Sequence, residues 1–168
     1  MAICADPLSL TKEADMPKIS PCLWFDNQAE EAENFYVSVF KNSKILNVAR
    51  YGEAGAEASG RPKGTVMIIA FQLEGQQFLA LKGGPVFTFS PAISLLVNCE
   101  MQEEVDDLWD TLSEGGEKEP CGWLKDKYDV SWQIVPSVLG KILLDPDPER
   151  SERVMKAMLR MKKIDIKL

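Results

Sequence analysis

The chain has 168 residues, 45% of them hydrophobic and 27% charged, which suits a globular fold with a proper core; no apolar run is long enough to span a membrane. A formal net charge of −7 weighs against a nucleic-acid surface and against anionic lipid, so neither nucleic acid nor membrane is expected as a partner. Histidine is absent altogether, which removes Ser-His-Asp and Cys-His catalysis, the two-histidine-one-carboxylate iron site and most zinc sites.

Residues 1–15 are aperiodic and read as a flexible N-terminal arm; they lack the basic start and apolar stretch of a secretory signal. Lys18 to Phe25 reads as a strand, with Ile19, Leu23 and Phe25 on one face and Ser20, Cys22 and Trp24 on the other. Asn27 and Glu30 have capping-box spacing. The helix that follows carries Ala32, Phe35, Tyr36, Val39 and Phe40 as one apolar stripe and stops at Lys41-Asn42. A strand from Ile45 to Tyr51, a loop from Gly52 to Gly64, and a hairpin of Thr65–Leu73 and Gln77–Leu81 around Glu74-Gly75-Gln76 complete a βαβββ module.

The order then repeats. Ala92 to Val97 reads as a strand and Gln102 to Ser113 as a helix with Val105, Leu108, Trp109 and Leu112 on one stripe. Glu117–Leu124 and Val130–Val135 supply the later strands, separated by a turn at Asp126 to Asp129. In the last strand Val130, Trp132 and Ile134 share a large apolar face, while Ser131, Gln133 and Val135 share a smaller, partly polar one. Asn27–Tyr36 and Cys99–Trp109 read as copies differing by one inserted residue, which marks an internal duplication. Each helix has a single apolar stripe, so each should cover the convex side of a curved sheet and leave the opposite face to line a cup. Ser137 to Leu143 has room for one or two helical turns, Glu149 to Lys163 reads as a C-terminal helix, and Ile164, Ile166 and Leu168 alternate as a short terminal strand.

Cys4, Cys22, Cys99 and Cys121 form no C-x-x-C and point to reduced thiols in the cytoplasm. Neither a G-x-G-x-x-G nor a G-x-x-x-x-G-K-[ST] loop is present to cradle a phosphate. Any general acid or base must be Asp, Glu, Lys, Tyr or Cys.

Ser20-Pro-Cys-Leu-Trp-Phe-Asp26, Phe35-Tyr36, Phe78 to Pro85, Cys121-Gly-Trp123 and Ser131 to Pro136, within two βαβββ modules, together resemble the PhnB-like, or 3-demethylubiquinone-9 3-methyltransferase, branch of the vicinal-oxygen-chelate superfamily. That superfamily also includes glyoxalase I, bleomycin-resistance proteins and extradiol dioxygenases. The resemblance implies an α+β, glyoxalase/bleomycin-resistance-like fold, in which two βαβββ modules form a curved open barrel with helices outside, commonly as a homodimer. One domain would cover residues 16–168, with module one at about 17–85, module two at about 91–136 and a C-terminal helix at about 149–163.

Metal-dependent relatives would place ligands at Ser20, Ala80, Ala92 and Gln133, of which only Gln133 resembles a familiar ligand; neither metal nor other cofactor is expected. S-adenosylmethionine has no glycine-rich loop to hold it. Strand parity predicts a ligand-binding cup lined by Cys22, Trp24, Ala80, Lys82, Ser94, Leu96, Ser131 and Gln133, with Trp123 near the rim. The tryptophans would stack a planar ligand, Gln133 would hydrogen-bond it, and Lys82 would offset an anion. Against this, the tryptophans could be packed core and Lys82 solvated. The reading favoured is a protein that binds a small organic molecule in a metal-free cup, its catalytic residues unknown. The alternative is a metal-independent isomerase or lyase using Cys22 or Lys82 for proton transfer. A cation held by carboxylates has no clustered acidic motif in its favour.

Overall fold

The computed structural model describes residues 17–144 and 146–166, so the predicted N-terminal arm, Cys4 and the Leu168 end of the predicted terminal strand lie outside it. The described residues fall into two compact units, divided between Thr88 and Phe89.

The first unit runs β1 (Cys22–Phe25), α1 (Ala29–Val39), β2 (Lys44–Arg50), α2 (Glu53–Ser59), β3 (Val66–Leu73) and β4 (Gln76–Lys82). Its sheet has the order β1-β4-β3-β2, with β1 parallel to β4 and the other pairs antiparallel. The β3–β4 hairpin turns on Glu74 and Gly75 at φ 45° and 85°. Both central residues are left-handed, which matches the strand twist and makes glycine the apt residue at the second. Phe71 lies opposite Phe78 in register, their rings stacked at 5.5 Å. α1 packs on β3 and β4 and buries Ala29, Ala32 and Tyr36. Two expectations are corrected. Residues 53–59 are a helix and not part of a loop, as their alternating Ala and Glu allow, and Gly60 ends it at φ 70°. The capping box does not form: Gln28 occupies the N-cap, the Asn27 side chain bonds Asp26 and Arg61, and Glu30 turns to Lys82.

The second unit runs β5 (Leu95–Cys99), α3 (Gln102–Leu112), β6 (Glu117–Lys118), β7 (Trp123–Lys125), β8 (Ser131–Pro136), α4 (Ser137–Leu143) and α5 (Pro148–Met158). Its sheet order is β5-β8-β7-β6, again with the first strand parallel to the last. The duplication read from the helices is therefore also present in the strand connectivity. β5 starts at Leu95, so Ala92 lies in a turn instead of a strand. The strand expected over 117–124 is interrupted, because Cys121 and Gly122 turn left-handed at φ 61° and 81°. Their N–H groups leave the ladder for the Met161 and Lys162 carbonyls, at 2.9 and 2.7 Å. α5 is capped by Asp147, whose Oδ1 accepts from the Glu149 N–H at 3.0 Å, and it ends at Met158, short of the predicted Lys163. No strand forms at Ile164–Ile166; instead Gln102 bonds the backbone of both residues.

The second core centres on Trp132, Ile134, Leu124, Val105 and Leu112, all essentially buried. No described helix is long and apolar enough to cross a membrane.

Candidate functional site

In the second unit, period-2 alternation sorts the sheet into two faces. Register pairs Leu95 with Trp132 and Val97 with Ile134 on the face that α3 covers. On the opposite face Leu96 lies beside Gln133, which in turn lies beside Trp123, while Ser131 lies beside Lys125. Ser94 belongs to this face, since the Gln133 amide Nε2 donates to its hydroxyl at 2.8 Å. Five of the predicted residues, Ser94, Leu96, Trp123, Ser131 and Gln133, thus share one surface. Leu96 is exposed, Ser131 is buried, and Trp123 and Gln133 are half-buried. A half-buried ring, an exposed apolar side chain and an oriented amide are the parts from which a small-molecule subsite is made. With its amide donating to Ser94, Gln133 keeps its carbonyl oxygen as the acceptor on that surface.

In the first unit the predicted set divides. Cys22 pairs with Leu79 and Trp24 with Leu81, on the face away from α1. Phe25 pairs with Lys82 and Leu23 with Ala80, which puts Ala80 and Lys82 on the helix face. Lys82 Nζ bonds Glu30 Oε2 of α1 at 2.9 Å, and Ala80 is fully buried. The expectation that Lys82 and Ala80 line the same surface as Trp24 is therefore corrected, and an anion-binding role for Lys82 falls with it. Trp24 is engaged within its own unit: its Nε1 donates to the Gly84 carbonyl at 2.8 Å, and Phe87 meets it edge-on at 4.8 Å. A Cβ at Gly83 would come within 2.2 Å of the indole, so only glycine lets the backbone lie there. Cys22 is exposed, and desolvation around its sulfur raises the thiol pKa, which keeps it protonated and a poor nucleophile at neutral pH.

Two ionisable residues emerge that the sequence reading had not singled out. Asp126 is 2% exposed and organises the β7–β8 turn: Oδ1 accepts from the Tyr128 and Val130 N–H groups, and Oδ2 accepts from the Trp132 indole at 2.8 Å. Its spacing to Trp132 was visible, but not that the two side chains meet. Glu33 is also 2% exposed, on the sheet-facing side of α1. Burial, reinforced by the like charge of Glu30, raises its pKa from 4.5 to about 7. Oε1 accepts from Asn34, and Oε2 has no hydrogen-bond partner among the described residues. Being under the helix, it is not on the open strand face where a substrate would meet it.

The metal positions suggested by the resemblance do not fit a metal. Ala80 and Ala92 offer no donor, and the Gln133 amide is turned to Ser94. Among the described residues no three or more Asp, Glu or Cys side chains converge on a common point. Nor do the strand-to-helix loops fit S-adenosylmethionine, since Asp26–Gln28 and Glu100–Met101 contain no glycine to bring backbone against a ligand.

A family profile described as 3-demethylubiquinone-9 3-methyltransferase matches residues 17–135. Among solved structures, a putative 3-demethylubiquinone-9 3-methyltransferase, the PhnB protein of Bacillus cereus, is 39% identical, with a TM-score of 0.61. The match covers 71% of this chain and 99% of that one. A protein from Pseudomonas aeruginosa shares the fold at 19% identity and a TM-score of 0.57, over 72% of this chain and 98% of its own. A glyoxalase/bleomycin resistance protein/dioxygenase domain from Frankia also matches, at 14% identity and a TM-score of 0.39, over 71% and 91% of the two chains. No curated protein matches the chain.

Proposed function

The chain belongs to the 3-demethylubiquinone-9 3-methyltransferase family, the PhnB-like proteins, and from that premise we propose that it binds a small organic molecule without a metal. The observation that supports this most directly is the open face of the second sheet, where Trp123 and Leu96 flank the Gln133–Ser94 pair. That surface offers ring contact and one oriented acceptor, and Lys125, the cation beside Ser131, is paired with Glu117 at 3.5 Å. Binding is favoured over isomerase or lyase chemistry because the ionisable side chains first nominated for proton transfer are withdrawn: Lys82 is paired with Glu30 and Cys22 is held as a thiol. Methyl transfer, which the family description names, has no cofactor loop to support it. The reading includes a homodimer, for which exposed Leu96 on the edge strand β5 is the supporting feature, and a cytoplasmic setting, in keeping with the free thiols Cys22, Cys99 and Cys121.

The test is a thermal-shift screen of small aromatic and heteroaromatic compounds on untagged protein, with and without Zn, Ni, Mn, Mg and Fe(II). Omitting a histidine tag matters because a tag would supply imidazoles that the chain lacks. A metal-independent hit that weakens at least tenfold in Gln133→Ala and Trp123→Ala, with both variants folded, supports the proposal. A hit that requires metal, or one indifferent to both substitutions, overturns it.

A further inference from the structure

A half-open apolar cavity of about 80 Å³ lies within the second unit, between α4, α5 and the segment that follows α5. Leu139, Ile142, Val154, Ala157, Met158 and Met161 supply most of its wall. It is formed by residues 136–166, and so begins where the family match ends at residue 135. The Bacillus cereus and Pseudomonas aeruginosa structures are matched over 98–99% of their own length, and those matches take in only 71–72% of this chain. The cavity is thus an addition to the shared fold and separate from the strand face discussed above.

We propose that this cavity is a second binding site, for a neutral hydrocarbon group about the size of a single aromatic ring. Four observations support it. Protein interiors rarely leave voids larger than a water, and an apolar void forfeits contacts that a ligand restores. The space is smaller than the ~150 Å³ apolar cavity known to hold benzene, but it is open on one side and walled by two unbranched methionines that can move aside. The far wall is fixed in place: Gly122 N–H donates to the Lys162 carbonyl at 2.7 Å, and Gln102 bonds the backbone of Ile164 and Ile166. Finally, among the described residues the one charged group in the lining is the carboxylate of Asp165, which disfavours an anionic ligand.

The site also has a connection to the strand face. Ile164 packs against Gly122, next to Trp123; a Cβ at Gly122 would come within 2.9 Å of the Ile164 side chain. Ile164 thus joins the cavity wall to the turn that carries Trp123.

The experiment titrates the full chain with benzene and, separately, with benzoate, following the methionine methyl signals by NMR and the melting temperature. Benzene is expected to shift Met158 and Met161 saturably and raise the melting temperature, while benzoate does neither. Ala157→Phe fills the space and should abolish the benzene response; if that variant does not fold, Val138→Phe at the exposed rim takes its place. The proposal is overturned by a non-saturable response, by benzoate acting as benzene does, or by a folded Phe variant that still responds. Neither arm involves Gln133, so failure here is distinguishable from failure of the proposed function.

Discussion

Glu33 makes the stability of this protein depend on pH in a direction opposite to that of a salt-bridged carboxylate. Its side chain is 2% exposed, Oε2 has no partner among the described residues, and the cation Lys82 of the helix-facing side of β4 is bonded to Glu30 at 2.9 Å. The folded-state pKa of about 7 lies above the ordinary 4.5, because burial, and secondarily Glu30, disfavour the charged form. The folded protein thus holds this proton to higher pH than the unfolded chain. Its stabilising effect is complete below pH 4.5 and is lost as pH rises through 7. The gap between 4.5 and about 7, at about 1.4 kcal/mol per pH unit, is worth up to about 3 kcal/mol. Glu33→Gln keeps the shape and removes the ionisation. Urea unfolding of both proteins from about pH 4.5 to 8.5 isolates this carboxyl, since other titrations cancel in the difference. The variant should gain on the wild type by up to about 3 kcal/mol over that range, most of it accumulating between pH 4.5 and 7 and the difference levelling off above pH 7. A difference that stays flat, or wild type gaining on the variant as pH rises, refutes the reasoning.

Trp132→Ala should destabilise by about 3–5 kcal/mol through the cavity it leaves. Trp132→Phe should cost about 1–3 kcal/mol, chiefly for the lost donor to buried Asp126, and both are read from chemical denaturation. Asp126→Ala should cost about 3 kcal/mol or more, since two turn N–H groups and the Trp132 indole lose one acceptor, with amide exchange rising first at Tyr128 and Val130. Gly116→Ala should destabilise by about 1–3 kcal/mol, because its Cβ would sit 2.1 Å from the Lys125 carbonyl oxygen and backbone must move. Gln133→Ala should change the melting temperature little while lowering ligand affinity; unfolding would show that its bond to Ser94 is structural.

Local patterns decided much of this protein. The apolar stripes of α1 and α3, the turn at Glu74-Gly75 and the alternation in β8 follow from periods of 3.6 and 2 and from left-handed backbone, all of which act within a few residues. They placed Trp132 under a helix and Gln133 on the open face before any fold was drawn, and the absence of histidine excluded whole classes of chemistry. What they could not decide is how strands meet. In Gln76–Lys82, Phe78 and Ala80 make one apolar set and Leu79 and Leu81 another, so nothing local says which faces α1. The parallel register of β1 against β4 settles it, and one residue of slip would reverse every side chain. Lys82 falls on the helix face for that reason, and alternation within β4 alone does not show it. Likewise Cys121 and Gly122 leave their strand only because the chain after α5 returns to offer two carbonyls, 40 residues beyond them in sequence. Asp126 and Glu33 are ordinary surface residues by composition. Tertiary burial makes the first an anchor and the second a titrating group, because the cost of a buried carboxylate depends on what surrounds it.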